Sequence, residues 1–266
     1  MLFPLLALVA AAEPVAPSTA LPPSGKWLVE YAETMCVLSR DYGAGADKVT
    51  IGLRPMPMSQ QSEVVLITRD RGATKFNGHA EIALAPGAKP VSGSYGRFPL
   101  PKGAGRIATM YFDDDALAGL EGASELEIGL DRERHRFAIP NIAGAMKVLS
   151  ACQDNLLRHW NIDPAERAAE STHVSGNPGR FFGPSEYPRD AIVAGAQGRT
   201  VAIGKVGVDG RVEACIVAVT SGNRSLDEAT CRIMRNSVRF SPARDKDGKP
   251  VASHYVLPVR WVLPGN

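Results

Sequence analysis

The residue types that could perform chemistry are scattered along this 266-residue chain. No two of its five histidines stand at positions i and i+4, the spacing that places two zinc ligands on one face of a helix: His79, His135, His159, His173 and His254. The sequence also contains neither the G-x-S-x-G elbow nor the S-x-x-K motif of serine enzymes. We therefore predict no catalytic residue, no metal site and a protein that is not an enzyme.

Two local patterns could still bind a metal ion or a cofactor. The triplet Asp113-Asp114-Asp115 could ligate a hard cation, or it could begin a helix, where acidic residues are favoured. We prefer the helix start, because no glycine-spaced calcium loop surrounds the triplet. Residues 103–108 match G-x-G-x-x-A, but a dinucleotide loop must open a helix, and the residues that follow are of β type. We expect no cofactor.

The four cysteines are the remaining candidates for covalent chemistry. They are widely spaced, and no pair has the C-x-x-C spacing of zinc or redox sites. In an exported protein two disulfides are expected, and the alternative is four buried thiols. Because each predicted half of the chain holds two cysteines, we predict that Cys36 pairs with Cys152 and Cys215 with Cys231.

The beginning of the chain predicts export. Residues 1–12 are apolar and end in small residues, as in a secretory signal peptide, and residues 13–25 form a Pro-, Ala- and Ser-rich linker. The apolar stretch is shorter than the roughly 20 residues that span a bilayer. We therefore predict a periplasmic protein with a cleaved signal, with an inner-membrane anchor as the alternative.

Residues 26–163 are predicted to form a β-rich domain, the β-rich unit, closed by one long helix. Short, partly alternating runs separated by Gly, Pro and Asp predict its strands: residues 27–31, 35–42, 49–54, 63–68, 80–84, 107–112, 126–130 and 136–139. The helix begins at Pro140-Asn141 and runs to about Trp160, with apolar residues at helical spacing. Cys152 lies on the apolar stripe of this helix.

A second, smaller unit follows a linker at residues 164–183. Tyr187-Pro188-Arg189 has the character of a helix start, and Asp209-Gly210 between two β-type runs predicts a two-residue hairpin turn in which both residues have positive φ. Ser225 with Glu228 three residues later predicts a capping box at the start of a second helix. Residues 253–263 are predicted as a last strand.

Seven short motifs in residues 187–259 occur in the order and spacing of the TonB C-terminal domain family, which this part of the chain resembles. The motifs are Tyr187-Pro188, Asp209-Gly210-Arg211-Val212, Ser221-Gly222, Leu226-Asp227, Phe240-Ser241-Pro242-Ala243, Gly248-Lys249-Pro250-Val251 and Pro258-Val259. The resemblance implies a helix, a β-hairpin, a second helix and an edge strand in residues 184–266. It also implies that this unit binds extended peptides of outer-membrane receptors by adding a strand to its sheet.

The whole chain is thus predicted to be α+β and to act as an exported, non-enzymatic binding protein of the cell envelope. The predicted peptide-binding edge comprises Tyr187, Pro188, Tyr255, Leu257, Val259 and Trp261. Its predicted partner is an envelope protein or extended peptide, such as that of an outer-membrane receptor, which would link the protein to transport across that membrane. The net charge of +2 and the scattered Lys and Arg argue against nucleic acid.

Two other functions remain open at this point. The first is a membrane-anchored energy transducer of the TonB type, although a β-rich unit stands where such a protein has a long Pro-rich spacer. The second is an enzyme or inhibitor activity located in residues 26–163.

Overall fold

Helices and antiparallel strands make up the fold, which confirms the predicted α+β class. The computed structural model describes residues 19–70 and 77–263. The predicted signal peptide at residues 1–12 lies outside these residues.

The β-rich unit contains one antiparallel sheet of nine strands, in the spatial order β1-β2-β3-β4-β7-β6-β5-β8-β9. The strands are β1 Leu28–Ala32, β2 Met35–Tyr42, β3 Val49–Pro55, β4 Gln61–Thr68, β5 Asn77–Ala85, β6 Val91–Pro99, β7 Arg106–Asp113, β8 Glu125–Leu130 and β9 Glu133–Ala138. The sequence did not predict β6, because Gly93, Gly96 and a terminal Pro99 leave it few apolar residues.

The segment before β1 bridges the two ends of this sheet. Leu21 forms a parallel bridge to Phe137 of β9, and its backbone N–H donates to the carbonyl of Arg136. Pro23 forms an antiparallel bridge to Tyr42 of β2. These residues belong to the stretch predicted as a linker, yet their backbone groups are part of the closed β structure.

Helix α1, Ile142–His159, covers the first strands of the sheet. Burial alternates strictly along β2, so that Cys36, Leu38 and Tyr42 point into the core. A disulfide joins Cys36 of β2 to Cys152 of α1, with Cα atoms 6.1 Å apart. This is the pairing predicted from the sequence.

The remaining elements extend through the predicted linker into the C-terminal unit, residues 184–263. They are α2 Pro164–Ala169, β10 Glu170–Thr172, α3 Arg189–Val193, β11 Gly198–Val206, β12 Val212–Val219, α4 Arg224–Asn236, β13 Ala243–Asp245, β14 Pro250–Val251 and β15 Ser253–Trp261. They form two three-stranded sheets, ordered β10-β13-β14 and β12-β11-β15. The predicted linker therefore contributes a strand that pairs with the C-terminal unit.

The turn between β11 and β12 differs from the predicted two-residue hairpin. Gly210 has a φ of 75°, but Asp209 is not in the positive-φ region. The N–H of Gly210 donates to the carbonyl of Gly207, and that of Gly207 to Arg211, so the loop is longer than predicted. Gly210 is required by its surroundings, since a Cβ there would lie 2.0 Å from the carbonyl oxygen of Phe240.

The cap of α4 also differs from the prediction. The helix begins at Arg224, and the side chain of Asn223 accepts hydrogen bonds from the backbone N–H groups of Ser225 and Leu226. Ser225 is thus inside the helix, and Glu228 pairs with Arg224 instead of completing a capping box. Sequence pattern alone does not separate two neighbouring residues that can both cap a helix.

Helix α4 covers one face of the β12-β11-β15 sheet, where its apolar side chains are buried. A disulfide joins Cys215 of β12 to Cys231 of α4, again as predicted, with Cα atoms 5.6 Å apart. The opposite face of the sheet packs on the β-rich unit, because Ile203 of β11 lies in that unit's core and Val256 of β15 packs against it. The C-terminal sheet is therefore covered on both faces.

Candidate functional site

Strand β15 forms one edge of the C-terminal sheet and pairs with β11 alone in the described residues. Its register runs from Gly198 opposite Trp261 to Val206 opposite Ser253. An edge strand has one row of backbone N–H and C=O groups without ladder partners, which an extended chain can pair with.

Two observations identify the residues of β15 whose backbone groups point outward. The backbone N–H of Gly207 donates to the carbonyl of Arg211 in the turn that leads to β12. Because backbone groups alternate in direction along a strand, those of the odd-numbered β11 residues point to β12 and those of the even-numbered ones point to β15. Leu257 lies opposite Ala202 and therefore bonds to β11, whereas Pro258, which has no N–H, lies opposite Val201. The outward backbone groups are consequently those of His254, Val256, Pro258 and Arg260.

Most predicted edge residues direct their side chains into the core. Leu257 and Val259 are buried under α4, and Trp261 is only 4% exposed. The indole N–H of Trp261 donates to the hydroxyl of Thr230 on α4, at 3.0 Å. Tyr255 is half-buried against Phe240, with ring centroids 4.5 Å apart. These residues hold the strand in place, and any contact they make with a peptide would come from the backbone.

The part of the chain that contains this sheet matches a known protein family. Residues 184–263 match the family model for the Gram-negative bacterial TonB protein C-terminal. The match covers less than half of the chain and leaves the β-rich unit outside it. No curated protein and no solved structure matched the chain in the corresponding searches. The matched part makes this a TonB-like, envelope-related protein.

Residues at the start of the TonB C-terminal domain pack against the last residue of β15, Trp261. The Tyr187 ring packs edge-on against that of Trp261, with centroids 5.3 Å apart, and its hydroxyl donates to the carbonyl of Ala196 at 2.5 Å. Pro188 is half-buried and immediately precedes α3. Tyr187 is therefore a core residue near the predicted edge, and neither residue presents a free pocket.

A cleft of about 240 Å³ lies between the TonB C-terminal domain and the β-rich unit. The domain lines it with Arg199, Val201, Tyr255, Val256 and Pro258. The β-rich unit lines it with residues from the β1–β2 turn, from the segment between β3 and β4, and from β3, β4 and β7: Thr34, Met35, Arg54, Pro55, Met56, Pro57, Met58, Ser59, Gln61, Glu63 and Tyr111. An added strand would present alternate side chains to this cleft. Sequence reasoning missed it, because its two walls are far apart in the chain.

The charged groups of the cleft are partly compensated. Arg54 forms an ion pair with Glu63, and its guanidinium contacts the sulfur of Met35 at 3.3 Å. Burial lowers the pKa of Arg54, and the nearby positive charge of Arg199 lowers it further. Arg199 is exposed and has no ion pair with any described residue. The cleft therefore offers one uncompensated cation to a ligand.

The predicted linker attaches to the beginning of β15. The carboxylate of Glu170 accepts hydrogen bonds from Nδ1 of His173, at 2.6 Å, and from the hydroxyl of Ser253. His254 approaches Glu166 of α2 at 3.1 Å. These contacts cover the first residues of the strand and leave Val256 to Arg260 as the open part of the edge.

The Ser253–Glu170–His173 group resembles a catalytic triad only in composition. In a triad the histidine lies between the serine and the carboxylate, so that it can accept the serine proton. Here the carboxylate lies between the other two side chains, and Ser253 and the Glu170 side chain are buried. The arrangement is suited to joining the linker to β15.

The other candidates for chemistry are separated from one another in the structure. Within residues 19–70 and 77–263 no group of three or more His, Cys, Asp and Glu side chains could hold a metal ion. Asp114 of the acidic triplet accepts a hydrogen bond from Ser62 at 2.7 Å, and Asp114 and Asp115 begin a short 3-10 helix.

Within the part of the chain that the structure describes, no helix is both long enough and apolar enough to cross a membrane.

Asp227 fixes α4 to the sheet and makes the stability of the TonB C-terminal domain depend on pH. Its carboxylate accepts hydrogen bonds from the hydroxyls of Thr200 and Thr220, at 2.8 and 2.5 Å, and from the N–H of Ser221 at 2.9 Å. Burial raises its pKa, but these bonds outweigh burial and hold the pKa below its ordinary value. A depressed carboxyl pKa stabilises the fold above the unfolded pKa of about 4, and this contribution is lost as pH falls through the folded pKa.

We therefore expect Asp227→Asn to lower the free energy of unfolding at pH 7 by roughly 1–3 kcal/mol. The difference from the wild type should shrink as pH falls below about 4, the pKa of the unfolded state, and through the lower pKa of the folded protein. Urea denaturation at pH 7 and pH 3 measures both quantities. Glu228→Gln, one position along α4 in an exposed ion pair, should change stability less. A difference for Asp227→Asn that is equally large at both pH values would contradict this role.

Proposed function

We propose that this protein is an exported, non-enzymatic periplasmic protein that binds an extended segment of an envelope protein by strand addition to β15. The observation that carries the proposal is the outward row of backbone groups from Val256 to Arg260 beside the interdomain cleft. The match to the TonB C-terminal domain supports an envelope partner, such as an outer-membrane receptor. In this arrangement backbone pairing supplies affinity, and the cleft contacts every second side chain.

The β-rich unit has a defined part in this proposal. It forms one wall of the cleft, where Met35 and Met56 are partly exposed and have flexible side chains that adapt to different apolar ligands. Arg199 on the other wall would pair with an acidic residue of the bound segment. The preferred ligand is therefore an extended segment with apolar residues and at least one carboxylate on the cleft side.

Photo-crosslinking in cells tests this proposal. A photoreactive phenylalanine at Pro258, which is exposed on the edge, should form adducts with an extended segment of an outer-membrane protein. The same residue at Val193, which is 89% exposed on α3, is the control and should not form those adducts. Identical adducts from both positions would reject the edge as the binding site.

Arg260→Pro should reduce the yield of the Pro258 adduct roughly tenfold. Proline removes one outward donor and places its ring where the added strand must lie. Arg260→Ala also removes the charged side chain but keeps the N–H, so it should retain the adduct. Leu257→Pro is not an equivalent test, because the Leu257 N–H faces β11 and its loss would damage the native sheet. An unchanged yield in a folded Arg260→Pro protein would contradict strand addition at β15.

A further inference from the structure

The C-terminal sheet has a second free edge, on the side opposite to β15. Strand β12 pairs with β11 alone in the part of the chain that the structure describes. The backbone groups of Ile203 and Lys205 in β11 point to β12, so their partners Ile216 and Ala214 use their own backbone groups for hydrogen bonds to β11. The backbone N–H and C=O groups of Cys215 and Val217 consequently point away from the sheet.

The centre of this edge, Ala214 to Val217, lacks the features that usually protect an edge strand, whereas its ends carry bulges and the exposed Glu213. Natural edges are blunted by charged residues, by proline or by covering elements. The middle of β12 instead exposes two apolar side chains, with 50% of Ile216 and 37% of Val217 accessible. A bulge interrupts its pairing with β11 only near Val219 and near Val212. The central part of the strand is regular and can accept a further strand.

A groove of about 700 Å³ runs between this edge and α4. Val217 and the Cys215–Cys231 disulfide contribute to its lining on the β12 side. Helix α4 lines it with charged residues, which include Arg232 and Arg235. A strand paired with β12 would direct every second side chain into this groove and the others toward Ile216.

The charges of the groove favour an acidic occupant. Both carboxylates in its lining are engaged, since Asp227 accepts from Thr200, Thr220 and Ser221 and Glu228 pairs with Arg224 at 2.6 Å.

Arg232 and Arg235 are exposed and have no ion pair with any carboxylate among residues 19–70 and 77–263. Two guanidinium groups are thus available for carboxylates on one face of an added strand.

We propose that β12 and α4 form a second strand-addition site that binds an extended segment with acidic residues on one face and apolar residues on the other. A second copy of this chain fits the site less well. Pairing of β12 with β12 about a two-fold axis would place the same two arginines on both sides of the junction. The site is separate from the β15 edge, because β11 lies between the two strands.

The test measures binding of two labelled peptides to the full chain by fluorescence anisotropy. In the first peptide glutamate alternates with valine, and in the second lysine replaces glutamate. We expect binding of the glutamate peptide only, weakening as salt concentration rises. Arg232→Gln with Arg235→Gln should weaken it roughly tenfold, and exchange of both arginines for glutamate should abolish it. Arg189→Gln, an exposed arginine on α3 outside the groove, is the matched control.

Two further measurements locate the bound peptide. Hydrogen exchange should show new protection of the Cys215 and Val217 amides when the glutamate peptide is added. The titrations are made in Arg260→Pro, whose β15 edge is blocked, and binding of the glutamate peptide should persist there, so that this proposal and the function of β15 fail independently. Equal binding of the lysine peptide, insensitivity to the paired arginine substitutions, or loss of binding in Arg260→Pro would overturn the proposal. Self-association through β12 in the absence of peptide would overturn it as well.

Discussion

Replacing both Cys36 and Cys152 by alanine is expected to lower the free energy of unfolding by about 4–5 kcal/mol. This disulfide joins residues 116 positions apart, from β2 at the beginning of the β-rich unit to α1 near its end. In the chain-entropy model, a cross-link stabilises the fold more when the loop that it closes is longer. Both side chains are also buried, so their replacement leaves less packed volume in the core.

The second disulfide provides an internal comparison. Replacing Cys215 and Cys231 opens a loop of 16 positions, for which the same model gives roughly 3 kcal/mol. Urea denaturation of the unreduced wild type and of the two double variants, monitored by circular dichroism, measures the loss in free energy of unfolding for each disulfide. A smaller loss for the Cys36 and Cys152 variant than for the Cys215 and Cys231 variant would show that loop length does not determine the effect here.

Trp261→Ala is expected to lower the free energy of unfolding by about 3–5 kcal/mol, the range for removing a buried tryptophan from a core. The indole ring is in edge-on contact with Tyr187 and with Phe182, at centroid distances of 5.3 and 5.8 Å. Its N–H donates to Thr230, whose own hydroxyl donates to the carbonyl of Leu226. The substitution removes a large side chain and leaves the Thr230 oxygen without this donor.

The neighbouring residue is the matched control for this substitution. Arg260 has an exposed side chain, so Arg260→Ala should stay within about 0.5 kcal/mol of the wild type. Thermal and urea denaturation of both variants makes the comparison. A loss below 1 kcal/mol for Trp261→Ala would show that Trp261 is not part of the core, and its side chain would then be available to a ligand after all.

Patterns with a local physical cause allowed much of the fold to be predicted. The short, partly alternating run at residues 35–42 predicted a strand, and the structure has β2 over Met35–Tyr42. The apolar stripe after Pro140 predicted the helix that is α1, and the motifs in residues 187–259 placed the TonB C-terminal domain. Strand β6 did not meet the same criteria, because its glycines are tolerated only through pairing with β5 and β7 on either side.

The sequence motifs were sufficient to predict β15 as a candidate binding edge. They did not show which of its side chains are buried and which are exposed. Tyr255, Leu257, Val259 and Trp261 share one face of the strand in any register. Only the tertiary structure shows that this face is buried under α4. The pairing of β15 with β11, which is also tertiary, leaves the backbone groups of His254, Val256, Pro258 and Arg260 pointing outward.

The cleft and the basic groove could not be predicted, because each is formed where elements meet that are distant in sequence. Arg199 and Met58 line one cleft from different units of the protein, and Val217 and Arg235 line one groove from a strand and a helix. The sequence by itself determined most of the local elements, mainly through the spacing of apolar residues. The tertiary structure decided which faces those elements bury and which edges they leave open, because burial depends on contacts between residues far apart in the chain.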